Sequence, residues 1–231
     1  MIVFVFKLCY TNNMEKFRNK FKISKNGFTL AEVLITLVIV GVIAAMTIPT
    51  VINNTKKQEY VSRLKKTYSA LSQASAKIIA EEGSAVNWAT STETIYNLLK
   101  KNLVNVKECG TGSGCFQGEY KWKDNTTAHD FDSANRYKFT LADGAFVSMT
   151  KDYGDFSSTC SANLSGSVNV CQIILVDING AKKPNKVGQD TFAFVLKNDG
   201  LYPTGCDSDG CSNINGWGCT CKVLRENAIN Y

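Results

Sequence analysis

The feature that most constrains this chain of 231 residues is an apolar run near its N-terminus. Between Phe28 and Val51 the only charged residue is Glu32. A helix of this length, at about 1.5 Å per residue, is roughly 36 Å long and exceeds the roughly 30 Å hydrocarbon core of a bilayer. The run therefore predicts a membrane-spanning helix. A carboxylate inside it needs a partner, because its insertion costs about 2.5–3.5 kcal/mol.

Positive charge is concentrated just before this run. Residues 1–27 contain six Lys or Arg and one Glu, and the other 204 residues contain 20 basic and 19 acidic residues. Basic residues ahead of an apolar helix stay on the cytoplasmic side of a membrane. We therefore expect a cytoplasmic leader and an outward-facing remainder. The near-neutral charge of the remainder disfavours a nucleic-acid partner.

The residues around Glu32 form a known motif. A basic leader, a Gly-Phe step and Thr-Leu-x-Glu precede the apolar run in KNGFTLAEVLITLVIVGVIAAMTIP. This pattern closely resembles the class III signal of type IV pilins and type II secretion pseudopilins. An ordinary secretory signal fits less well, because the run is too long and no small-x-small site follows it. A simple membrane anchor explains the length of the run but not its carboxylate.

The resemblance implies processing and assembly. A prepilin peptidase would cleave the chain between Gly27 and Phe28 and would methylate the new N-terminus at Phe28. Glu32 would then neutralise the new α-amine, within one helix or between neighbouring subunits. Gly41 and Pro49 stand where helices of this family carry a glycine and a proline. Pro49 also weakens the preceding turn, because proline has no amide donor.

The motif and the amphipathic pattern behind it divide the chain into four parts. Residues 1–27 are the basic leader that the peptidase removes, and its true start is expected at Met14. Residues 28–52 form the hydrophobic transmembrane and assembly helix. Residues 53–82 continue this helix with one apolar face, and residues 83–231 form a globular head rich in cysteine.

Alternating apolar residues predict strands in the head. RYKFTLADGAFVSM and DTFAFVLKNDGLYP alternate on both sides of an Asp-Gly pair, which is typical of a hairpin, and VNVCQIILVDI reads as a buried strand. A short helix is predicted over residues 91–103. The expected fold is α+β and pilin-like. Its long helix, from about residue 29 to 82, packs on an antiparallel sheet of four or five strands.

Eight of the nine cysteines lie in the second half of the chain, and their even number predicts disulfides in an oxidising compartment. Zinc is the alternative, but no spacing is C-x2-C and the chain has one histidine. The two plausible local pairs are Cys109 with Cys115 and Cys160 with Cys171. Cys219 and Cys221 are too close to be a favoured pair. Each is therefore expected to bond to Cys206 or Cys211.

The segment DINGAKKPNKVGQD contains a set of oxygen ligands with some likeness to a calcium loop. Asp177, Asn179, Asn185 and Asp190 could surround Ca²⁺, and some pseudopilins bind calcium near their sheet. However, the glutamate of an EF-hand is missing and three lysines oppose a cation. We favour the alternative, a structured connection with Asx and Gly turns and no metal.

The resemblance implies a structural subunit of a type IV pilus or type II secretion pseudopilus. It would be a single-pass protein of the bacterial inner membrane, with its head outside the cytoplasm, and would then enter the fibre. Its partners would be other subunits, the prepilin peptidase, the inner-membrane assembly platform and the lipid bilayer. The alternative is a membrane-anchored binding or adhesin domain, or a DNA-uptake minor pilin. An enzyme is not expected, because one histidine leaves no Ser-His-Asp set.

Overall fold

The computed structural model describes residues 27–151, 160, 162–164, 167–207, 210–212 and 215–231. The leader before Gly27, with Met14, lies outside the described residues, so its removal and its true start remain predictions. The chain divides into two compact units between Ile48 and Pro49.

The first helix, α1 (Leu30–Glu82), begins with reciprocal bonds between Thr29 and Glu32. Thr29 Oγ1 accepts a hydrogen bond from the Glu32 amide at 3.2 Å, and the Glu32 carboxylate accepts from both the amide and the hydroxyl of Thr29 at 2.8 Å. This capping box satisfies amides that have no partner inside the helix. The helix ends at Gly83, whose φ of +85° suits glycine at this position.

The first unit exposes apolar side chains on all sides of its helix. Every described residue of this unit is exposed except Ala44, which is partly exposed. Leu30, Val38 and Met46 are 77%, 64% and 73% exposed. Within the described residues, α1 is the one helix that is long and apolar enough to cross a membrane.

In the second unit, one face of α1 packs into a hydrophobic core. Leu64, Leu71 and Ile78 are fully buried and are spaced by two helical turns. The Tyr68 ring stacks on Phe194 of the sheet, with ring centroids 5.4 Å apart. These contacts fix this part of the helix on the sheet, as the amphipathic pattern predicts.

The sheet contains seven antiparallel strands in the described part of the chain, in the order β1-β2-β3-β5-β6-β7 with β4 paired to β5. They are β1 (Asn105–Gly110), β2 (Arg136–Leu141), β3 (Phe146–Thr150), β4 (Ala162–Leu164), β5 (Ser167–Asp177), β6 (Thr191–Lys197) and β7 (Gly200–Pro203). The expected number of four or five is too low, because β1 and β4 were not predicted. Both hairpins form, and the first turns at Asp143-Gly144 as expected. The second turns one residue earlier than expected, at Asn198-Asp199, because Gly200 is already in β7 and pairs with Lys197.

Both faces of the sheet are covered. One face packs on α1, α3 and α4 through alternate side chains of the strands, among them Phe139, Val147, Ile174 and Phe194. The opposite face carries Val170, Ile173, Leu175, Ala193 and Val195. These residues pack under an aromatic cover from the loops, which consists of Phe116, Tyr120, Trp122, Phe131 and Trp217. The head therefore has one core on each side of its sheet.

Three short α-helices and one 3-10 helix (Gly210–Ser212) complete the described part of the head. The α-helices are α2 (Ala85–Trp88), α3 (Thr92–Asn102) and α4 (Cys219–Glu226). Ser91 caps α3, since its hydroxyl accepts a hydrogen bond from the amide of Thr94 at 3.1 Å. This agrees with the predicted helix over residues 91–103. Helix α4 was not predicted, because its two cysteines lie in a segment that reads as a loop.

Four disulfides connect the loops of the head. The bonded pairs are Cys109–Cys115, Cys160–Cys171, Cys206–Cys221 and Cys211–Cys219. The two local pairs agree with the expectation, and so does the bonding of Cys219 and Cys221 to Cys211 and Cys206. The described fold is therefore α+β and pilin-like, with a long helix packed on an antiparallel sheet and disulfides across its loops.

Candidate functional site

The expected cleavage position lies in an exposed segment outside the helix. Gly27 and Phe28 precede the first helical residue, and the Phe28 side chain is 87% exposed. A Cβ built on Gly27 meets no atom within 4 Å. The two residues on either side of the predicted cut are therefore unobstructed by described residues of the chain.

Glu32 has a local role that the sequence analysis missed. Its Oε2 accepts both hydrogen bonds from Thr29, and among the described residues no hydrogen bond reaches Oε1. The signal was present in the sequence as Thr-x-x-Glu, which is a capping-box pattern. Helix capping therefore uses Oε2 of Glu32 and leaves Oε1 available to another hydrogen-bond donor.

The structure gives Gly41 and Pro49 no role among the described residues that the expected assembly would need. A Cβ on Gly41 would meet no atom within 4 Å, so the chain itself has room for a larger residue there. Pro49 lies inside α1, and its missing amide leaves the Ala45 carbonyl without its usual intrahelical donor. The helix nevertheless continues through Pro49. The assembly roles expected for these residues remain proposals.

The four candidate calcium ligands come together in the connection between β5 and β6. Asp177 and Asp190 are fully buried, and Asn179 and Asn185 are at most 9% exposed. Asp177 Oδ1 accepts hydrogen bonds from the backbone amides of Asn179 at 3.1 Å and Gly180 at 3.0 Å. Its Oδ2 accepts from the Tyr120 hydroxyl at 2.6 Å. Every oxygen of this carboxylate thus has a donor from the chain.

Asp190 is held in the same way. Its Oδ2 accepts from the Asn185 amide at 2.8 Å and from Asn179 Nδ2 at 3.1 Å, and its Oδ1 accepts from the Lys186 amide at 2.6 Å. Burial raises the pKa of Asp190 to about 6. Burial, with Asp190 nearby, also raises the pKa of Asp177 well above its usual range.

This geometry fits a hydrogen-bonded connection better than a calcium site. All four carboxylate oxygens already accept hydrogen bonds, and carboxylates that bind Ca²⁺ ordinarily offer their oxygens to the ion. The described residues contain no group of three or more His, Cys, Asp or Glu suited to a metal. The buried oxygens Asn179 Oδ1 and Asn185 Oδ1 have no hydrogen-bond partner. The chain thus satisfies both carboxylates by itself, and the preference for a structured connection over a calcium site remains a prediction.

Two family models match the chain. The prokaryotic N-terminal methylation motif matches residues 23–48, the segment that contains Gly27, Phe28, Glu32 and Gly41. This match confirms the prepilin-type signal, which is typical of type IV pilins and pseudopilins. A family of unknown function, DUF6613, matches residues 50–228. No curated protein and no solved structure matches the chain. Because the second match covers more than half of the chain, this protein belongs to the DUF6613 family and carries a prepilin-type methylation signal ahead of it.

Proposed function

We propose that the protein is a structural subunit of a type IV pilus or a type II secretion pseudopilus. A prepilin peptidase cleaves it between Gly27 and Phe28, and it assembles with other subunits through residues 28–52. It carries out no reaction itself. The match of the methylation motif to residues 23–48 supports this class of function.

One observation carries the proposal: the apolar surface of the first part of α1 has no cover in the described chain. Large apolar side chains between Phe28 and Ile52 are between 41% and 87% exposed. A surface of this kind is not stable in water. A lipid bilayer covers it before assembly, and the equivalent helices of other subunits cover it inside a fibre.

Glu32 determines how the helices join. Cleavage after Gly27 creates a positive α-amine on Phe28, one helical turn before the carboxylate. Either charge alone is costly in hydrocarbon or in a fibre core, and the pair removes most of that cost. A growing fibre presents the carboxylate of one subunit to the amine of the next, so the pair sets the register between them.

The decisive measurement is the N-terminus and intact mass of the protein from its native cell, in membranes and in sheared surface material. We expect a chain that begins at methylated Phe28 and lacks eight hydrogens, because each of the four disulfides removes two. A chain that begins at Met1 or Met14 in both fractions would overturn the proposal.

The same measurement separates the two assemblies. A processed chain that is abundant in the sheared fraction identifies a pilus subunit, since a pilus extends beyond the cell surface. A processed chain that is confined to membranes identifies a pseudopilin. A chain that is processed but never found beside another subunit after crosslinking would instead support the membrane-anchored binding domain.

A further inference from the structure

A cavity of about 430 Å³ lies in the head on the sheet face opposite α1. Its walls come from β2, β3 and β5 and from the loops that precede β2 and α4. Cavities of roughly 300–1,000 Å³ are the size that holds small organic ligands. The cavity lies within the second unit, so its formation does not depend on the membrane helix.

The cavity contains a buried cation. Arg136 is 8% exposed, and its guanidinium lies over the ring of Phe131, 5.0 Å from the ring centroid. No carboxylate of the described residues forms an ion pair with it within 4.0 Å. Burial lowers the pKa of Arg136 to about 10, so it stays charged at neutral pH, with attraction from Asp130 as the opposing influence. A buried charge without a partner is costly, which makes Arg136 a strong site for an anion.

Hydroxyl groups lie beside this cation on the same sheet face. Arg136 is directly opposite Thr150 on the neighbouring strand, and Ser148 is two residues before Thr150. All three residues line the cavity. The Ser148 hydroxyl is buried and makes no hydrogen bond with any described residue. An unsatisfied buried hydroxyl costs about 1–3 kcal/mol, and a ligand oxygen would remove that cost.

The remaining walls combine apolar side chains with two polar ones, His129 and Asn215. Ile173 and Leu175 project from β5 into the lining, and Trp217 closes one side. The Trp217 ring is held by Trp122, whose centroid is 5.6 Å away, and by Phe131, whose centroid is 6.4 Å away. An indole fixed in this way offers a rigid face for the ring of a ligand.

We propose that this cavity binds a small ligand that carries one carboxylate on a ring of monosaccharide size. A single guanidinium matches a single negative charge, and its planar fork donates hydrogen bonds to both oxygens of a carboxylate. Ser148 and Thr150 then bind hydroxyl groups of the ring, and Trp217 covers one ring face. The proposal is independent of fibre assembly, because it uses residues of the head alone.

The test compares two probes that differ in their carboxylate, glucuronate and glucose, on the full chain in detergent. Calorimetry and tryptophan fluorescence, to which Trp217 contributes, report binding. We expect saturable binding of glucuronate and at least about tenfold weaker binding of glucose, the size of one charge-assisted hydrogen-bond pair. Equal binding of the two sugars, or no binding of glucuronate, would overturn the proposal.

Variants assign the binding to this cavity. Arg136→Gln should weaken glucuronate binding at least about tenfold, while Arg225→Gln, which removes an exposed arginine of α4, should leave it unchanged. Circular dichroism checks that each variant folds. Ser148→Ala keeps the charge and removes a hydroxyl that makes no bond, so it should fold and should weaken binding about threefold or more. Unchanged affinity in Ser148→Ala together with unchanged affinity in Arg136→Gln would refute the site.

Discussion

At the scale of single residues, Glu32 combines two roles that are chemically separable. It caps α1 through Thr29, which requires an oxygen acceptor and no charge. It is also proposed to neutralise the α-amine of Phe28, which requires a full negative charge. Glutamine keeps the acceptor and loses the charge, so one substitution distinguishes the roles.

We predict that Glu32→Gln and Glu32→Ala are both inserted into the membrane and processed, but enter the fibre poorly. The amount of sheared subunit should fall at least about tenfold, because an unpaired charge in hydrocarbon costs roughly 2.5–3.5 kcal/mol. Immunoblots of membrane and sheared fractions measure this loss. Thr29→Ala is the matched control, because it removes capping bonds and keeps the charge. Normal assembly of Glu32→Gln would show that capping, and not charge, is the role of this residue.

At the scale of elements, the connection between β5 and β6 is a hydrogen-bonded unit built around two buried carboxylates. Its backbone amides donate hydrogen bonds to Asp177 and Asp190. The Tyr120 hydroxyl, which donates to Asp177, links this connection to the loop between β1 and β2. These bonds favour the ionised carboxylates, and burial opposes ionisation more strongly. The stability of the head should therefore depend on pH.

We predict that the melting temperature of the head rises as the pH falls from 7 to 5. The folded pKa of Asp190 is raised to about 6, so the folded state binds this proton more tightly than the unfolded chain does. The resulting stabilisation is present at low pH and is lost as the pH rises through about 6. Scanning calorimetry at several pH values measures it.

Asp190→Asn cannot titrate, so its melting temperature should rise less over the same interval. Asp207→Asn removes an exposed carboxylate and serves as the matched control. The prediction fails if Asp190→Asn and the parent protein show the same dependence between pH 5 and 7.

Added calcium should have little effect on this element. The carboxylate oxygens of Asp177 and Asp190 are occupied by donors of the chain, so Ca²⁺ at about 1 mM should not raise the melting temperature relative to EDTA or Mg²⁺. A site occupied at 100 times its dissociation constant would stabilise the fold by about 2.7 kcal/mol, which calorimetry resolves easily. A clear rise with calcium alone would restore the calcium-loop interpretation and would direct attention to Asn179 Oδ1 and Asn185 Oδ1.

The elements differ in how visible they are in the sequence. Both hairpins were predictable because each contains an Asp-Gly pair between two apolar runs, although in the second the pair marks the end of the turn rather than its centre. Strand β1 was not, because NVKECG alternates weakly and depends on pairing with β2 for its place. Strand β4 has only three residues, too few for a pattern. Helix α4 has no capping residue that would mark its start in the sequence, since Gly218 has no side chain to cap it. Its first turn contains Cys219 and Cys221, which form two of the disulfides.

At the scale of the whole molecule, the assembly helix was predictable and the ligand cavity was not. A 24-residue apolar run with one carboxylate is a local pattern, readable in a single window of sequence. The cavity joins Arg136, Ser148 and Trp217, which the chain order separates and only the sheet register and the loops bring together. Nothing in the sequence around Arg136 indicates that no carboxylate of the described residues forms an ion pair with it.

We predict that the disulfides contribute unequally to the stability of the head. Removal of the Cys206–Cys221 pair by two serine substitutions should cost about 3 kcal/mol, and removal of the Cys109–Cys115 pair somewhat less, because the shorter loop constrains the unfolded chain less. Denaturant unfolding of each double variant measures the difference. A larger loss for the Cys109–Cys115 variant would contradict loop closure as the cause.

The last two disulfides are nested, with Cys211–Cys219 enclosed by Cys206–Cys221, and both use the C-terminal end of the chain. Native pairing of Cys206 and Cys211 therefore requires that the final residues of the chain have been translated and exported, because their partners are Cys221 and Cys219. A polypeptide that stops before Cys219 contains neither native partner and can at most join Cys206 to Cys211. The disulfide pattern of this region thus distinguishes finished copies from unfinished ones.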